Sequence, residues 1–391
     1  MQNDRWLLPE GIEEILPPRA EQLQETLRGL HALYHSWGYE LVMPPFIEFL
    51  DSLLIGTGKD LDLHTFKLTD QLTGRLMGLR SDMTPQVARI DAHCLKRKLP
   101  TRLCYMGTVL RTLPATHGGN RSPMQVGVEL YGHAGVESDI EVLRLMVHTL
   151  HLAGIEHVYL DLGHVGIFRA LASQASLTGQ QEAQLFDALQ RKAKPEISEL
   201  LNDWHLPAAQ QAMLARLADL HGDETVLASA REQLSAAGDE VMACLETLAA
   251  MAKAVAGMER VSLHFDLAEL RGYHYHTGVV FAAFVPGEGQ AIAQGGRYDD
   301  IGKAFGVARP ATGFSTDLRG VLAQVAAPVP TLRGIFAPCA DDAALTDMVA
   351  GLRGQGERVV QALPGQSGGA REMGCDRQLL LRDGKWGVES A

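Results

Sequence analysis

Two apolar-rich runs, Arg102 to Thr112 and Met124 to Gly132, are joined by LPATHGGNRSP, a connector rich in Gly, Pro and Asn. Such a connector is too long for a tight hairpin and has the composition of a functional loop, so the runs read as two sheet strands with a mobile tip between them. Side chains alternate between the faces of a strand, which places Tyr105, Gly107, Val109 and Arg111 on one face of the first strand. The same alternation places Gln125, Gly127, Glu129 and Tyr131 on one face of the second. Small and polar residues therefore share a face.

Upstream, Leu23, Leu27, Leu30, Leu33, Tyr34 and Trp37 recur at helical spacing after Pro17-Pro18, and Gly38 supplies a stop. Tyr39 to Met43 then reads as a strand ended by Pro44-Pro45, because proline cannot donate to a sheet ladder. From about residue 167 to 258 the composition shifts to Ala, Leu, Gln and Glu with few β-branched residues, and EAQLFDALQ and DEVMACLETLAAMAKAV carry helical spacing, which predicts a helical insertion. Strand character returns at Arg260 to Phe265 and at Tyr273 to Phe284. QGGRYDDI then reads as a glycine turn and ATGFSTDLRGVL as a closing helix. AAPVP at 326–330 is a linker by composition. Beyond it LRGIFAP, a helix over Asp341 to Leu352, RVVQAL and a hairpin turning at Asp383-Gly384 suggest a small βαββ unit over 331–391.

Charge narrows the partners: 35 Lys and Arg against 47 Asp and Glu give 35 − 47 = −12, a poor balance for holding nucleic-acid phosphates. No stretch approaches the roughly 18 uninterrupted apolar residues of a membrane span. The opening MQNDRWLLPEG lacks the basic start and apolar run of a signal peptide, so a cytoplasmic protein is expected. Cys94, Cys104, Cys244, Cys339 and Cys375 are odd in number and form no Cys-x-x-Cys pair, which disfavours disulfides and structural zinc and reads as reduced, mostly buried thiols.

Taken together, these segments resemble the class II aminoacyl-tRNA synthetase catalytic domain, specifically that of histidyl-tRNA synthetases. The helix, strand and proline at Glu21 to Pro45 resemble the family's dimer-forming first motif, and Tyr105 to Gly132 its second, with LRT at the motif arginine and QVGVELYG closing it. RGYHYHTGVVF, Arg271 to Phe281, is similar to the segment that recognises histidine, and QGGRYDDI with PATGFSTDL resembles the end of the fold and its third motif. The resemblance covers roughly residues 5–325 and implies an α+β fold: an antiparallel sheet flanked by helices, with a helical insertion and a small α/β C-terminal unit.

By that resemblance the amino-acid pocket falls on Asp82 and Thr84 in LRSDMT, on Arg111, Gln125 and Glu129 along the hairpin, and on Arg271, Tyr275 and His276. These residue types suit a free amino acid, which needs acceptors around its ammonium, an Arg or Gln at its carboxylate, and an acceptor and a hydroxyl on its imidazole nitrogens. Asp82 stands where the family has glutamate, His276 replaces its second tyrosine, and His274 replaces an acidic residue. The adenylation positions depart further. Leu113 stands where a glutamate holds the adenine amino group, and the acidic residue and arginine that serve the ATP γ-phosphate fall on Arg319 and Gly320. Losing one such group costs about 3 kcal/mol, or 100-fold in rate. Residues 331–391 are also too few for the family's anticodon-binding domain.

This profile resembles the non-catalytic branch of the family, the regulatory subunits that pair with a short-form ATP phosphoribosyltransferase catalytic subunit at the first step of histidine biosynthesis. The resemblance implies no tRNA partner, no resident cofactor, self-association through Glu21 to Pro45, and feedback regulation by histidine. The alternative is a synthetase-like enzyme activating histidine or another small amino acid. Blander readings stand beside these. Arg111 and Glu129 across the hairpin can form a purely structural ion pair. His274 and His276 could face one side of a strand as a metal pair, but no third ligand is evident. Gly56-Thr57-Gly58-Lys59 lacks the Ser or Thr that a phosphate loop needs after its lysine. The isolated chain is expected to give no histidine-dependent ATP–pyrophosphate exchange above background, the reaction that Leu113 and Gly320 should have removed.

Overall fold

The computed structural model describes residues 6–55, 59–114, 119–273, 275–306, 308–326 and 333–391. In chain order the first part contains α1 (Arg19–Ser36), β1 (Glu40–Leu41), β2 (Ile47–Phe49), α2 (Leu50–Leu53), α3 (Lys59–His64), β3 (Lys67–Thr69), β4 (Leu76–Leu79), α4 (Thr84–Arg89), β5 (Thr101–Thr108) and β6 (Met124–Tyr131). There follow α5 (Val136–Leu152), β7 (Val158–His164), α6 (Val165–Gln174), α7 (Gly179–Gln190), α8 (Lys194–Asp203), α9 (Ala208–Arg216), β8 (His221–Gly222), α10 (Thr225–Gln233) and α11 (Asp239–Val255). The sheet is then completed by β9 (Val261–Asp266), β10 (Val279–Phe284), β11 (Ala293–Arg297) and β12 (Ala311–Asp317), and α12 (Leu318–Ala323) closes this part. Contacts divide the chain into two compact units, one of residues 6–15 and 23–326, the other of residues 16–22 and 333–391.

The large unit is organised by a nine-stranded sheet of order β1-β5-β6-β12-β11-β10-β7-β9-β8. Its pairings are antiparallel except β1 with β5 and β7 with β9, so the antiparallel expectation holds for the centre and fails beside two strands. A separate sheet, β2-β4-β3, lies before α4. The face of β6 opposite Glu129 carries Val126, Val128 and Leu130, which are buried in one core with Leu143 and Met146 of α5 and Tyr34 of α1. Glu141 of α5 ties this layer together, accepting a hydrogen bond from Tyr39 Oη at 3.0 Å and two from Arg102 at 2.7 Å each.

Several sequence expectations shift at their edges. The strand after α1 shrinks to Glu40–Leu41, and the first hairpin strand ends at Thr108, leaving Arg111 beyond it. QGGR is not a turn: Gly295 and Gly296 lie inside β11, paired with Phe281 and Val280 on one side and with Phe314 and Gly313 on the other. ATGFSTD is the strand β12, and helix begins only at Leu318. Glycine was read as a breaker, yet at these positions it serves the close approach of other groups to the sheet. Tyr273 to Phe284 is strand only from Val279. Tyr275 and His276 both donate their backbone N–H to Gly272 O at 2.8 Å, closing a turn around a glycine at φ +67°. The helical region runs from Val165 to Val255 and includes the two-residue strand β8, which pairs with β9. Of the five free cysteines, Cys104, Cys244 and Cys375 are buried, whereas Cys94 and Cys339 are exposed.

In the small unit, β13 (Ile335–Ala337), β14 (Val359–Gln361), β15 (Arg377–Arg382) and β16 (Lys385–Ser390) form a sheet of order β14-β13-β15-β16, and with α13 (Ala343–Gly354) they match the expected strand, helix, strand and hairpin, the hairpin contributing two strands. Asp383 and Gly384, at φ +48° and +73°, make the tight turn between β15 and β16. Asp342 caps α13 by accepting from Ala344 N at 2.8 Å and also accepts from Trp386 Nε1 at 2.7 Å.

β11 is locked to α5 by Arg297. Its guanidinium donates to Asp139 Oδ2 at 2.9 and 3.1 Å, to Ser138 Oγ at 2.9 Å and to the carbonyls of Gly135 and His133. The Arg297 and Asp139 side chains are only 9% and 2% exposed. Removing one partner of such a pair leaves the other buried without compensation, so Arg297→Met should destabilise the large unit by about 3–5 kcal/mol. Equilibrium denaturation followed by far-ultraviolet dichroism checks this, and a loss below about 1 kcal/mol would contradict it.

Candidate functional site

Strand register places Glu129 at the centre of one sheet face, opposite Leu103 of β5 and Gly313 of β12. The row continues through Gly296, Val280 and Gly163. The glycines in this row leave room for other side chains to lie along the sheet. A Cβ at Gly313 would overlap the Glu129 carboxylate and stand 2.6 Å from Val128 O. One at Gly296 would stand 2.8 Å from His276 Nδ1, and one at Gly163 3.0 Å from Glu269 Cβ. Glu129, His276 and Glu269 are thus seated over three backbone positions that no larger residue can occupy.

Glu129 is 1% exposed and makes no ion pair among the described residues. Its Oε1 accepts from Tyr105 Oη at 3.0 Å, and its Oε2 accepts from Tyr298 Oη. Tyr105 Oη also lies 3.1 Å from Thr84 Oγ1. Burial pushes the Glu129 carboxyl well above the usual carboxylate range, with the negative charge of Asp82 adding to the effect. Asp82 is reached through the neighbouring strand residue: Gln125 Nε2 donates to Asp82 Oδ1 at 2.8 Å, and Gln125 Oε1 accepts from Met83 N at 2.9 Å. Asp82 Oδ1 also accepts from Thr84 N at 2.9 Å, at the start of α4.

The turn after Leu270 brings further side chains to this row, with His276 over Gly296. Tyr275 stacks on Tyr298 with ring centres 5.0 Å apart and meets the His276 ring edge-on at 5.3 Å. The Tyr275 hydroxyl is buried and has no hydrogen-bond partner among the described residues. A buried phenol left in this state calls for an external acceptor or donor. Burial lowers the His276 pKa to about 4, so the imidazole is neutral at physiological pH. Nδ1 lies 3.3 Å from Arg297 O, which favours the tautomer with the proton on Nδ1 and Nε2 free to accept.

Six of the eight residues singled out from the sequence form contiguous contacts: Asp82, Thr84, Gln125 and Glu129 join through hydrogen bonds and Tyr105, and Tyr275 and His276 stack beside Tyr298. Arg111 and Arg271 lie outside these contacts. Arg111 Nε donates to Ser81 O at 3.4 Å, so the structural pairing of Arg111 with Glu129 is not formed. Arg271 is exposed, paired with Glu269 at 2.9 Å, and lies over the Phe284 ring. Tyr105 and Tyr298 were not singled out, although alternation already put Tyr105 on the Glu129 face. Tyr298 follows directly on β11, and only the strand pairing brings it there. His274, Gly56, Thr57 and Gly58 lie outside the described residues. Among the described residues no group of three or more His, Cys, Asp or Glu side chains could hold a metal ion.

The adenylation positions are differently furnished. Leu113 is 58% exposed. Arg319 donates to Ser122 O at 3.1 Å and Ser122 Oγ at 2.9 Å and lies 3.6 Å from Glu13, so it fastens the hairpin to the end of β12.

Fold and site together define a class II synthetase-like protein of the histidyl type. A family model described as histidyl-tRNA synthetase matches residues 11–321, and one described as the ATP phosphoribosyltransferase subunit HisZ C-terminal domain matches residues 332–389. An ATP phosphoribosyltransferase regulatory subunit of Thioalkalivibrio sulfidiphilus is 61% identical over 385 residues, covering 98% of this chain and 97% of that one. One from Alkalilimnicola ehrlichii is 57% identical, covering 98% and 96%. A crystal structure titled as an ATP phosphoribosyltransferase regulatory subunit/histidyl-tRNA synthetase from Bacillus halodurans superposes with a TM-score of 0.82 at 26% identity, covering 93% of this chain and 94% of that one. Histidyl-tRNA synthetase from Nostoc sp. shares the fold, with a TM-score of 0.80 at 16% identity over 98% and 97% of the two chains. The chain belongs to the ATP phosphoribosyltransferase regulatory subunits, a family built on a histidyl-tRNA synthetase-like core.

A carboxyl whose folded pKa is raised binds its proton at pH values where the unfolded chain has lost it. Its contribution therefore falls as pH rises from about 4.5 through the folded value. Glu129→Gln removes that dependence. Between pH 5 and 8 the variant should lose less stability than the parent in parallel denaturation curves, and identical slopes against pH would contradict a raised Glu129.

Proposed function

We propose that the chain is the non-catalytic regulatory subunit of an ATP phosphoribosyltransferase complex, that a short-form catalytic subunit requires it for turnover, and that free histidine bound in the Glu129 pocket adjusts that turnover. The observation carrying this reading is the contrast between two neighbouring places. Around Glu129, its buried carboxyl, the half-buried Asp82, the Tyr275 hydroxyl without a partner among the described residues and a neutral imidazole are gathered. At the adenylation positions an exposed leucine and a structurally engaged arginine remain. A site that binds an amino acid without activating it suits a sensor.

The chemistry of histidine matches the lining. Its ammonium and imidazole N–H groups are donors for Asp82 and Glu129, and the Tyr275 hydroxyl is available to a ring nitrogen. Binding a cation beside Glu129 favours its ionised form, so a proton should leave on binding. The chain acts in the cytoplasm without tRNA. It self-associates through Glu21 to Pro45, where Leu41 and Met43 are exposed, in a two-fold arrangement that requires a self-complementary surface. Among the described residues no helix is long and apolar enough to cross a membrane.

The decisive experiment co-purifies the chain with a short-form phosphoribosyltransferase from the same source and assays the complex with and without histidine. Turnover should depend on the chain and fall with histidine. Glu129→Ala should assemble normally while losing about 2–5 kcal/mol of histidine affinity by calorimetry, with the proton release gone. Unchanged affinity would reject the pocket. Lost affinity with unchanged inhibition would move the regulatory site to the catalytic partner.

A further inference from the structure

The turn that carries Tyr275 and His276 has a second side. Tyr273 points away from the pocket into the helical insertion, where its ring packs 5.4 Å from Phe168 of α6 and 5.4 Å from Phe186 of α7. Its hydroxyl donates to Glu182 Oε1 of α7 at 2.5 Å. Arg169 of α6 lies over the same ring at 5.0 Å, and its Nη2 donates to the carbonyls of Tyr273 at 3.2 Å and His276 at 3.1 Å. One short turn is therefore held by the insertion through its backbone and through Tyr273, while two of its other side chains line the pocket.

We propose that the helical insertion reads the occupancy of the Glu129 pocket through this clasp of Tyr273, Glu182 and Arg169. The inference rests on the reading of that pocket as an amino-acid site. A ligand reaching the Tyr275 hydroxyl or His276 Nε2 shifts a turn that has little slack. Gly272 O closes it onto both residues, and Thr277 N donates to Arg297 O at 2.8 Å at its far end. The carbonyls on Arg169 and the ring between Phe168 and Phe186 must move with it. Packed interfaces answer such shifts by changing arrangement rather than by deforming smoothly, so the start of α7, where Glu182 sits, is where occupancy becomes visible outside the pocket. Coupling is reciprocal: whatever holds α7 in one arrangement alters the affinity of the pocket by the same factor. Tyr273 and Glu182 are positioning residues in this scheme, since neither faces the ligand.

Hydrogen exchange by mass spectrometry on the full chain, with L-histidine as the probe and calorimetry in parallel, tests this. Histidine should slow exchange over residues 179–190 by about fivefold or more, the lower end of typical coupling. Tyr273→Phe keeps the ring and should still bind histidine while losing the protection in α7. Glu182→Ala should behave likewise, and Glu182→Gln, which keeps an acceptor for the phenol, should restore it. A purely packing role for Tyr273 would not produce that rescue. Protection confined to residues 271–284, or retained over 179–190 in Tyr273→Phe, would overturn the clasp. Absence of any histidine binding would instead reject the pocket reading, and the ligand-free proteins then decide. Tyr273→Phe should exchange faster than the parent over residues 275–284, and identical rates there would overturn the clasp on its own.

Discussion

A carboxyl group with no cation partner, buried at the centre of a sheet, is the condition on which the rest of this structure depends. Glu129 costs free energy where it sits, because burial disfavours its charge and Asp82 nearby disfavours it further. The fold offsets that cost with phenol donors from two other strand regions, Tyr105 on β5 and Tyr298 just beyond β11. Glycines make the room: Gly313 seats the Glu129 carboxylate, and a Cβ at Gly127 would stand 2.5 Å from Tyr105 Oη. Arg297, one residue before Tyr298, is pinned to α5 by its contacts with Asp139 and Ser138. The polar face is thus supported from the apolar face through a single strand.

This arrangement explains how a synthetase-like core can persist without adenylation. On the proposed reading, amino-acid recognition uses the Glu129 row and the Gly272 turn, whereas the positions that the family resemblance assigns to nucleotide handling lie along the hairpin loop and at the head of α12, where Leu113, Arg319 and Gly320 stand. Arg319 retains a purpose by bonding Ser122, so the hairpin keeps its attachment to β12 although the phosphate-binding pattern is gone.

The helical insertion is joined to the turn that carries Tyr275, not merely appended to the sheet. Its helices bury their own core through residues such as Leu185, Leu189 and Leu214, and its α6 and α7 also grip the turn that carries Tyr275. Phe168 and Phe186 thus pack both within the insertion and against Tyr273 of that turn. The small unit has an independent core of Ile335, Leu345, Val349 and Leu379, with its own capped helix and hairpin.

Periodicity in the sequence sufficed for α1, the hairpin, the insertion helices and the final β-turn, because each is specified by residues close together in the chain. Alternation put Tyr105, Gly127 and Glu129 on one face, and the resemblance to a known family proposed Asp82, Thr84, Gln125, Tyr275 and His276 as their companions. What failed was local inference at glycine. QGGR looked like a turn because glycine weakens isolated strands, and Tyr273 to Gly278 looked like strand because it is rich in aromatic and β-branched residues. In both cases a contact distant in sequence overrides propensity: β10 and β12 hold β11 in register, and Gly272 and Arg169 curl the following segment. Tyr298 as a partner of Glu129 follows from strand order across the sheet. The chain's local pattern determined which segments form strands and helices and which residue types stand ready for an amino acid. Only the tertiary structure decided which of them meet, since side chains separated by more than a hundred residues become neighbours through pairings that no short stretch encodes.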